Sequence, residues 1–217
     1  MDYEAIRGGL EKAVPFNSHV GLEIAEVGEG DPSAHLRPTT DRVREAMFNL
    51  IENSHGVALD GARVLDLFAG TGALGLEALS RGAARVAFVD DGAAARALLR
   101  ANVEKTRAMG VTDIWRRDAT DLGPNRGAGY DLVFLDPPYA VSDAEVGTAL
   151  RRLVDGGWLA DDALVVVERS SRSPDTAWPS GLSAVKSWTY GEARVDLARR
   201  EVERREVERR EVEQSAD

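Results

Sequence analysis

The stretch Asp131-Leu132-Val133-Phe134-Leu135-Asp136-Pro137-Pro138-Tyr139 constrains this chain more than any other. Its apolar run predicts a buried strand. Pro137 and Pro138 end that strand, because neither can donate a hydrogen bond to a sheet ladder. The strand therefore delivers a carboxylate (Asp136), a rigid backbone carbonyl (Pro137) and an aromatic ring (Tyr139) to its carboxyl end. In an open parallel sheet, that end is where ligands bind. A carboxylate and a carbonyl together accept hydrogen bonds from a planar exocyclic amine, and a ring stacks on a base. This combination suits methylation of an amino group on a nucleobase.

A second pattern lies upstream. Arg63 to Phe68 reads as a short apolar strand, Ala69-Gly70-Thr71-Gly72 follows, and Ala73 to Arg81 reads as a helix. Gly70 and Gly72 allow a tight turn and close approach of backbone to a ligand, or serve an ordinary strand-to-helix turn. The strand Arg85 to Val89 ends in Asp90, about eighteen residues past the glycine loop, at the spacing where an acid meets a ribose. Asp91 is the neighbouring alternative. A nicotinamide site shares this layout, but hydride transfer has no evident use for Asp-Pro-Pro-Tyr.

The rest of the chain continues the alternation. Helices are expected from Thr39 to about Glu52, from Ala93 to Met109 and from Asp143 to Val154, the last stopped by Gly156 and Gly157. Strands are expected at 113–117, 130–136 and 164–168, the last continuous in Val and Leu as for burial on both faces. Residues 183–190 and 193–199 read as a closing hairpin around Gly191-Glu192. The fold class is α/β: a Rossmann-like, seven-stranded, mostly parallel sheet with a C-terminal antiparallel hairpin.

Composition sets outer limits. A chain of 217 residues can form one domain of ordinary size. No apolar run approaches a membrane span, the start Met1-Asp2-Tyr3-Glu4 lacks an export signal, and the absence of cysteine excludes disulfides and thiolate metal sites. A cytoplasmic protein is expected. His19, His35 and His55 lack metal-ligand spacing, so no metal is expected. The net charge of −10 is unusual for a nucleic-acid enzyme. Much of it lies at the ends, with seven acids and two bases in residues 1–36 and nine acids and seven bases in residues 191–217. Local basic clusters remain, at Arg37, Arg42 and Arg44 or at Arg116 and Arg117. Trp158, Trp178 and Trp188 are expected to serve packing.

Three segments together carry a resemblance: Arg37-Pro38-Thr39-Thr40-Asp41-Arg42-Val43-Arg44-Glu45-Ala46-Met47-Phe48-Asn49, then Asp66-Leu67-Phe68-Ala69-Gly70-Thr71-Gly72-Ala73-Leu74-Gly75-Leu76-Glu77-Ala78, then Leu135-Asp136-Pro137-Pro138-Tyr139. In this order and spacing they resemble the RsmD family, bacterial 16S rRNA (guanine-N2)-methyltransferases dependent on S-adenosyl-L-methionine. The resemblance runs from about Arg37 to about Arg199. It implies the seven-stranded methyltransferase fold, S-adenosyl-L-methionine as cofactor, and 16S rRNA within a small-subunit particle as partner, with a monomer as the working unit. It implies that Asp66 organises the loop and the methionine moiety, a cap on the following helix being the structural alternative. Phe68, Ala69, Gly70, Thr71 and Gly72 would line the cofactor, with Phe68 alternatively a core residue. Asp90 would meet the ribose hydroxyls. Asp118 and the Ala119 backbone would meet the adenine, with a plain surface aspartate as the alternative for Asp118. Asp136, Pro137, Pro138 and Tyr139 would hold the target base. Arg37, Thr39 and Arg42 would touch RNA or close the pocket, or else cap and solvate a helix. Asp-Pro-Pro-Tyr is shared with enzymes that methylate adenine-N6 or cytosine-N4 in DNA, so the motif alone leaves the base open. A non-catalytic chimera that only binds cofactor is a further alternative.

The ends depart from that family. Residues 1–36 are acidic where the family has a basic strand pair, and Val14 to Ile24 resembles the opening helix and strand of hotdog-fold thioesterases. The remainder of a hotdog fold is missing, so thioesterase activity is not expected. Domain organisation is therefore read as an atypical segment 1–36, a methyltransferase domain 37–199 and a charged tail 200–217. In the tail, Arg200-Glu201-Val202-Glu203-Arg204 recurs. Its valines, five apart, advance about 140° around a helix and make no apolar stripe. A solvated helix or disordered tail is expected, with a partner-binding element as the alternative.

Overall fold

A computed structural model describes residues 41–54 and 58–201. Helix α1 (Asp41–Ser54) leads into strand β1 (Arg63–Leu67), helix α2 (Ala73–Ser80), strand β2 (Arg85–Val89) and helix α3 (Ala93–Lys105). A 3₁₀ turn (Met109–Val111) precedes strand β3 (Thr112–Trp115). Strand β4 (Tyr130–Leu135), helix α4 (Asp143–Asp155) and strands β5 (Leu159–Ser170), β6 (Leu182–Tyr190) and β7 (Ala193–Arg200) complete the order.

The seven strands form one sheet in the order β3-β2-β1-β4-β5-β7-β6. All neighbours from β3 to β5 are parallel, while β7 runs antiparallel to both β5 and β6. The expected fold class and its closing hairpin are therefore present. Side chains alternate between two apolar layers, as the pleat requires. On one face Val64, Val86, Phe88, Leu132 and Phe134 pack with α1, α2 and α3 through Phe48, Leu76 and Leu99. On the other, Leu65, Leu67, Val133, Leu135 and Val165 pack with α4 through Val146, Leu150 and Leu153. Truncating a fully buried ring such as Phe134, 0% exposed, costs about 3–5 kcal/mol in a core of this kind.

Several boundaries differ from the sequence reading, each for a local reason. Helix α3 ends at Lys105 rather than Met109. The Thr106 hydroxyl bonds back to the carbonyls of Asn102 (2.9 Å) and Val103 (3.2 Å), and Arg107 turns left-handed at φ 57°. Strand β3 stops at Trp115, leaving Arg116 and Arg117 exposed beyond it. Strand β5 begins at Leu159, five residues early. The pairing of Tyr130 with Leu159 adds a start that the Asp161-Asp162 pair conceals, and the ladder is irregular there. Trp158 packs as expected, 2% exposed with Nε1 donating to the Gly123 carbonyl at 2.8 Å. Trp178 and Trp188 are half-buried against the two layers.

The hotdog-like segment, the expected cap at Thr39 or Thr40, all three histidines and residues 202–217 of the tail lie outside the described residues. Among the described residues, no helix is long and apolar enough to cross a membrane.

Candidate active site

Parallel register brings three chain segments to one place. Leu67 of β1 pairs with Val89 on one side and Leu135 on the other. The residues that follow, Phe68, Asp90 and Asp136, therefore emerge level with one another at the carboxyl edge of the sheet. Asp90 and Asp136 flank the end of β1, separated by two strand spacings, roughly 10 Å.

Beneath them lies Asp66, 1% exposed on the α2 face of β1. Its Oδ2 accepts from the Gly75 N–H at 3.0 Å, which fastens the first turn of α2. Burial drives its carboxyl well above the usual carboxylate range. The Gly75 hydrogen bond opposes this, and the charges of Asp136 and Asp90 add to it. Asp136 and Asp90 thus both lie within electrostatic reach of Asp66.

The loop from Phe68 to Gly72 is held from several sides. The Ala69 N–H donates to the Val89 carbonyl (3.1 Å), the Gly72 N–H to Ala69 (2.7 Å), and Asn102 Nδ2 of α3 to the Thr71 carbonyl (3.0 Å). Asp90 Oδ2 accepts from the Gly70 N–H at 2.9 Å, while Oδ1 accepts from Gly92 at 2.8 Å. Asp90 is half-buried and its carboxyl is raised, mainly by burial and against those two hydrogen bonds. Asp91 is exposed, so Asp90 is the acid that meets the loop. Arg96 of α3, 7% exposed, donates from Nη1 to the Asp90 carbonyl at 3.1 Å.

Backbone strain concentrates in the same loop. Phe68, half-buried against the α4-side layer, sits at φ 58°, where a bulky residue is uncommon. Gly72 has φ 82°, and a Cβ there would lie 2.3 Å from Leu99 Cδ1. Gly75 has a different reason: its Cβ would lie 2.3 Å from the Phe88 ring, so α2 can approach the sheet only without a side chain at that position.

Across the end of β1, Asp136 is half-buried, Pro137 buried, Pro138 half-buried and Tyr139 65% exposed. The Val141 N–H donates to the Pro138 carbonyl at 2.9 Å, closing a turn with Tyr139 and Ala140 at its tip. Ser142 then caps α4 in a reciprocal capping box with Glu145. Arg169, near the end of β5, donates from Nη1 to the Val141 carbonyl (3.2 Å) and from Nη2 to Asp143 Oδ1 (2.7 Å).

Asp118 is exposed, and its Oδ1 accepts from the N–H and the hydroxyl of Thr120, both at 2.7 Å. Ala119 is buried, 4% exposed. Of the expected basic cluster, Arg44 is 7% exposed and faces Glu77 at 4.0 Å, which removes it from any phosphate surface. Arg37 and Thr39 lie outside the described residues, as does the side chain of Arg42. Sequence reasoning missed Asn102, Arg96 and Arg169, while the Gly75 contact of Asp66 is the helix cap expected as its structural alternative. The first and third reach partners 31 and 28 positions away, which no local pattern signals.

The site fits a ligand that is cationic at one point and carboxylate at another. Asp66, Asp90 and Asp136 form a negative edge. At the amino end of α2 the N-cap residue Gly72 offers no side-chain cap and the first turn holds no acid of its own, so beyond the Gly75 N–H taken by Asp66 this end favours an anion. S-adenosyl-L-methionine carries both kinds of group.

The family model described as "Conserved hypothetical protein 95" matches residues 29–199. The chain is 37% identical to ribosomal RNA small subunit methyltransferase D of Escherichia coli K12 over 169 residues, 78% of this chain and 82% of that one. The Haemophilus influenzae protein of the same name is 34% identical, over 73% and 80% of the two chains. The solved structure of yhhF from Escherichia coli is 33% identical, covers 77% of this chain and 90% of its own, and superposes with a TM-score of 0.67. With the sheet order, the glycine loop and the Asp-Pro-Pro-Tyr turn in place, the chain belongs to the RsmD family of methyltransferases, with S-adenosyl-L-methionine as cofactor.

Proposed function

We propose that the protein methylates the exocyclic N2 amine of a guanine in 16S ribosomal RNA, acting as a cytoplasmic monomer on a small-subunit particle. One observation carries the reading: the glycine loop and the Asp-Pro-Pro-Tyr turn emerge side by side at the end of the sheet, with Asp66 between and beneath them. The relatives named as small-subunit rRNA methyltransferases support the choice of substrate. Residues 37–199 would carry the activity, with 1–36 and 200–217 outside it.

When bound, S-adenosyl-L-methionine supplies a methyl group on a positively charged sulfur. The Gly70 to Gly72 backbone and the amino end of α2 would hold its methionine end. Asp90 would accept from the ribose hydroxyls and Asp118 from the adenine amine. Each carboxylate oxygen has lone pairs beyond those already taken by Gly70, Gly92 and Thr120.

The guanine amine is a poor nucleophile, because its lone pair is delocalised into the ring. The Asp136 carboxylate and the Pro137 carbonyl would accept its two N–H groups. They would orient the nitrogen and stabilise the positive charge that grows on it. Tyr139 would stack on the base. Orientation of this kind is worth up to about 7–11 kcal/mol of barrier. Arg37, Thr39 and Arg42 would contact RNA beside the pocket.

The test is mass spectrometry of nucleosides after incubation with methyl donor and small-subunit particles, naked RNA or DNA. N2-methylguanosine from the particles is expected. N6-methyladenine or N4-methylcytosine from DNA would overturn the substrate assignment. Cofactor binding by calorimetry without methyl transfer to any substrate would mark a non-catalytic protein.

A further inference from the structure

We propose that Arg169 is a positioning residue for methyl transfer, acting through the Asp136–Tyr139 turn that it never has to touch at the reacting atoms. The inference rests on the reading of that turn as the target-amine site. Strand β5 lies next to β4, and Leu135 pairs with Val167. Two residues on, Arg169 therefore stands level with Pro137. Its side chain is 11% exposed. One arm of the guanidinium donates to the Val141 carbonyl and the other to the Asp143 carboxylate.

The two acceptors belong to different structures. Val141 closes the turn that carries Tyr139, whereas Asp143 opens α4. Arg169 thus joins three elements: the rigid strand β5, the exit of the target turn and the first turn of α4. Pro137 and Pro138 donate no backbone hydrogen bonds, so the sheet ladder cannot anchor the turn there. The Pro138–Val141 hydrogen bond is internal to the turn and sets its shape, not its placement. On its exit side the turn is tied to the rest of the fold by the Arg169 fork and the Ser142 cap. The guanidinium is largely shielded while the Asp143 carboxylate is 55% exposed, so the planar fork gives direction chiefly through its bond to the Val141 carbonyl.

Because small displacements of positioning groups can cost up to about 100-fold, Arg169→Ala should lower kcat by about 10- to 100-fold. The dissociation constant of S-adenosyl-L-methionine should stay within about twofold of wild type, since the glycine loop is held by other groups. Arg169→Lys reaches one acceptor but not both, and should recover only part of kcat. Asp143→Ala leaves the Val141 contact and should lose part of kcat, less than Arg169→Ala does. Amide exchange at Val141 should accelerate in Arg169→Ala while Val133 and Phe134 keep their protection. Unchanged kcat in Arg169→Ala, full rescue by lysine, or unchanged exchange at Val141 would each overturn the proposal. So would a loss that tracks cofactor affinity or melting temperature, because that would make Arg169 a general stabiliser. Asp136→Asn separates the two levels. If it turns over normally, the reading of the turn itself falls. If it is inactive while Arg169→Ala is not, only the positioning role falls.

Discussion

From Phe68 to Gly72 the backbone is held from beneath and behind, by Asp90, Asn102 and Val89, and it lies close to the core. From Pro137 to Val141 it is held at its exit, and its tip carries an aromatic ring into solvent. Both loops follow adjacent parallel strands and open at the same edge. The contrast fits what each has to admit. A small charged molecule can be met by a backbone already fixed in place, here by internal bonds from the Ala69, Gly70 and Gly72 N–H groups. A base drawn from a folded RNA must arrive from outside, and a half-buried carboxylate beside an exposed ring leaves it room. Precision on one side comes from burial, and on the other from a few directional contacts.

The contrast can be attacked one residue at a time. The largest effect belongs to Asp136→Ala, for which turnover should fall by about 10³-fold while calorimetry finds cofactor affinity nearly intact. Equal loss of cofactor binding would erase the distinction between the two loops. Next is Gly72→Ala. A left-handed non-glycine costs about 1–2 kcal/mol and the Leu99 overlap about 1–3 kcal/mol more. Cofactor affinity should drop at least about tenfold, and the unfolding midpoint should fall with it. Tyr139→Ala should do the reverse, raising KM for the RNA particle by about tenfold through lost stacking and leaving both cofactor affinity and stability alone.

The smallest effect tests the buried acid. Asp66 keeps its proton to higher pH in the folded than in the unfolded chain. Between its ordinary value and its folded value, the native state binds more protons, so stability falls as pH rises through that window. Asp66→Asn cannot ionise and still offers an oxygen to the Gly75 N–H. Without cofactor it should match wild type near pH 4 and melt at a higher temperature than wild type at pH 7 by calorimetry. A variant that is less stable at pH 7 than at pH 4, relative to wild type, would refute the direction.

Most of the sheet was legible because its strands announce themselves. Val133-Phe134-Leu135 and Val165-Val166-Val167 are continuous apolar runs that only a two-faced burial explains. Boundaries were legible where a proline or glycine sets them, as at Pro137, and not where a side chain does, as at Thr106. The acids at strand ends could be named from spacing. The cap that Asp66 makes on the next helix was readable as an alternative, but the bond of Asp90 to Gly70 was not, because the register between β1 and β2 decides it. Asn102, on a helix face among alanines and leucines, carries no local mark of the loop it supports.

Strand β7 follows β6 in the chain yet lies between β6 and β5. As the polypeptide leaves a ribosome, β6 therefore emerges before its native partner, and it pairs only once β7 lies beside β5. Arg169 itself faces Arg194 of β7 in the ladder. The strand that carries the clamp on the target turn thus gains its second neighbour in the sheet only after synthesis has passed residue 200.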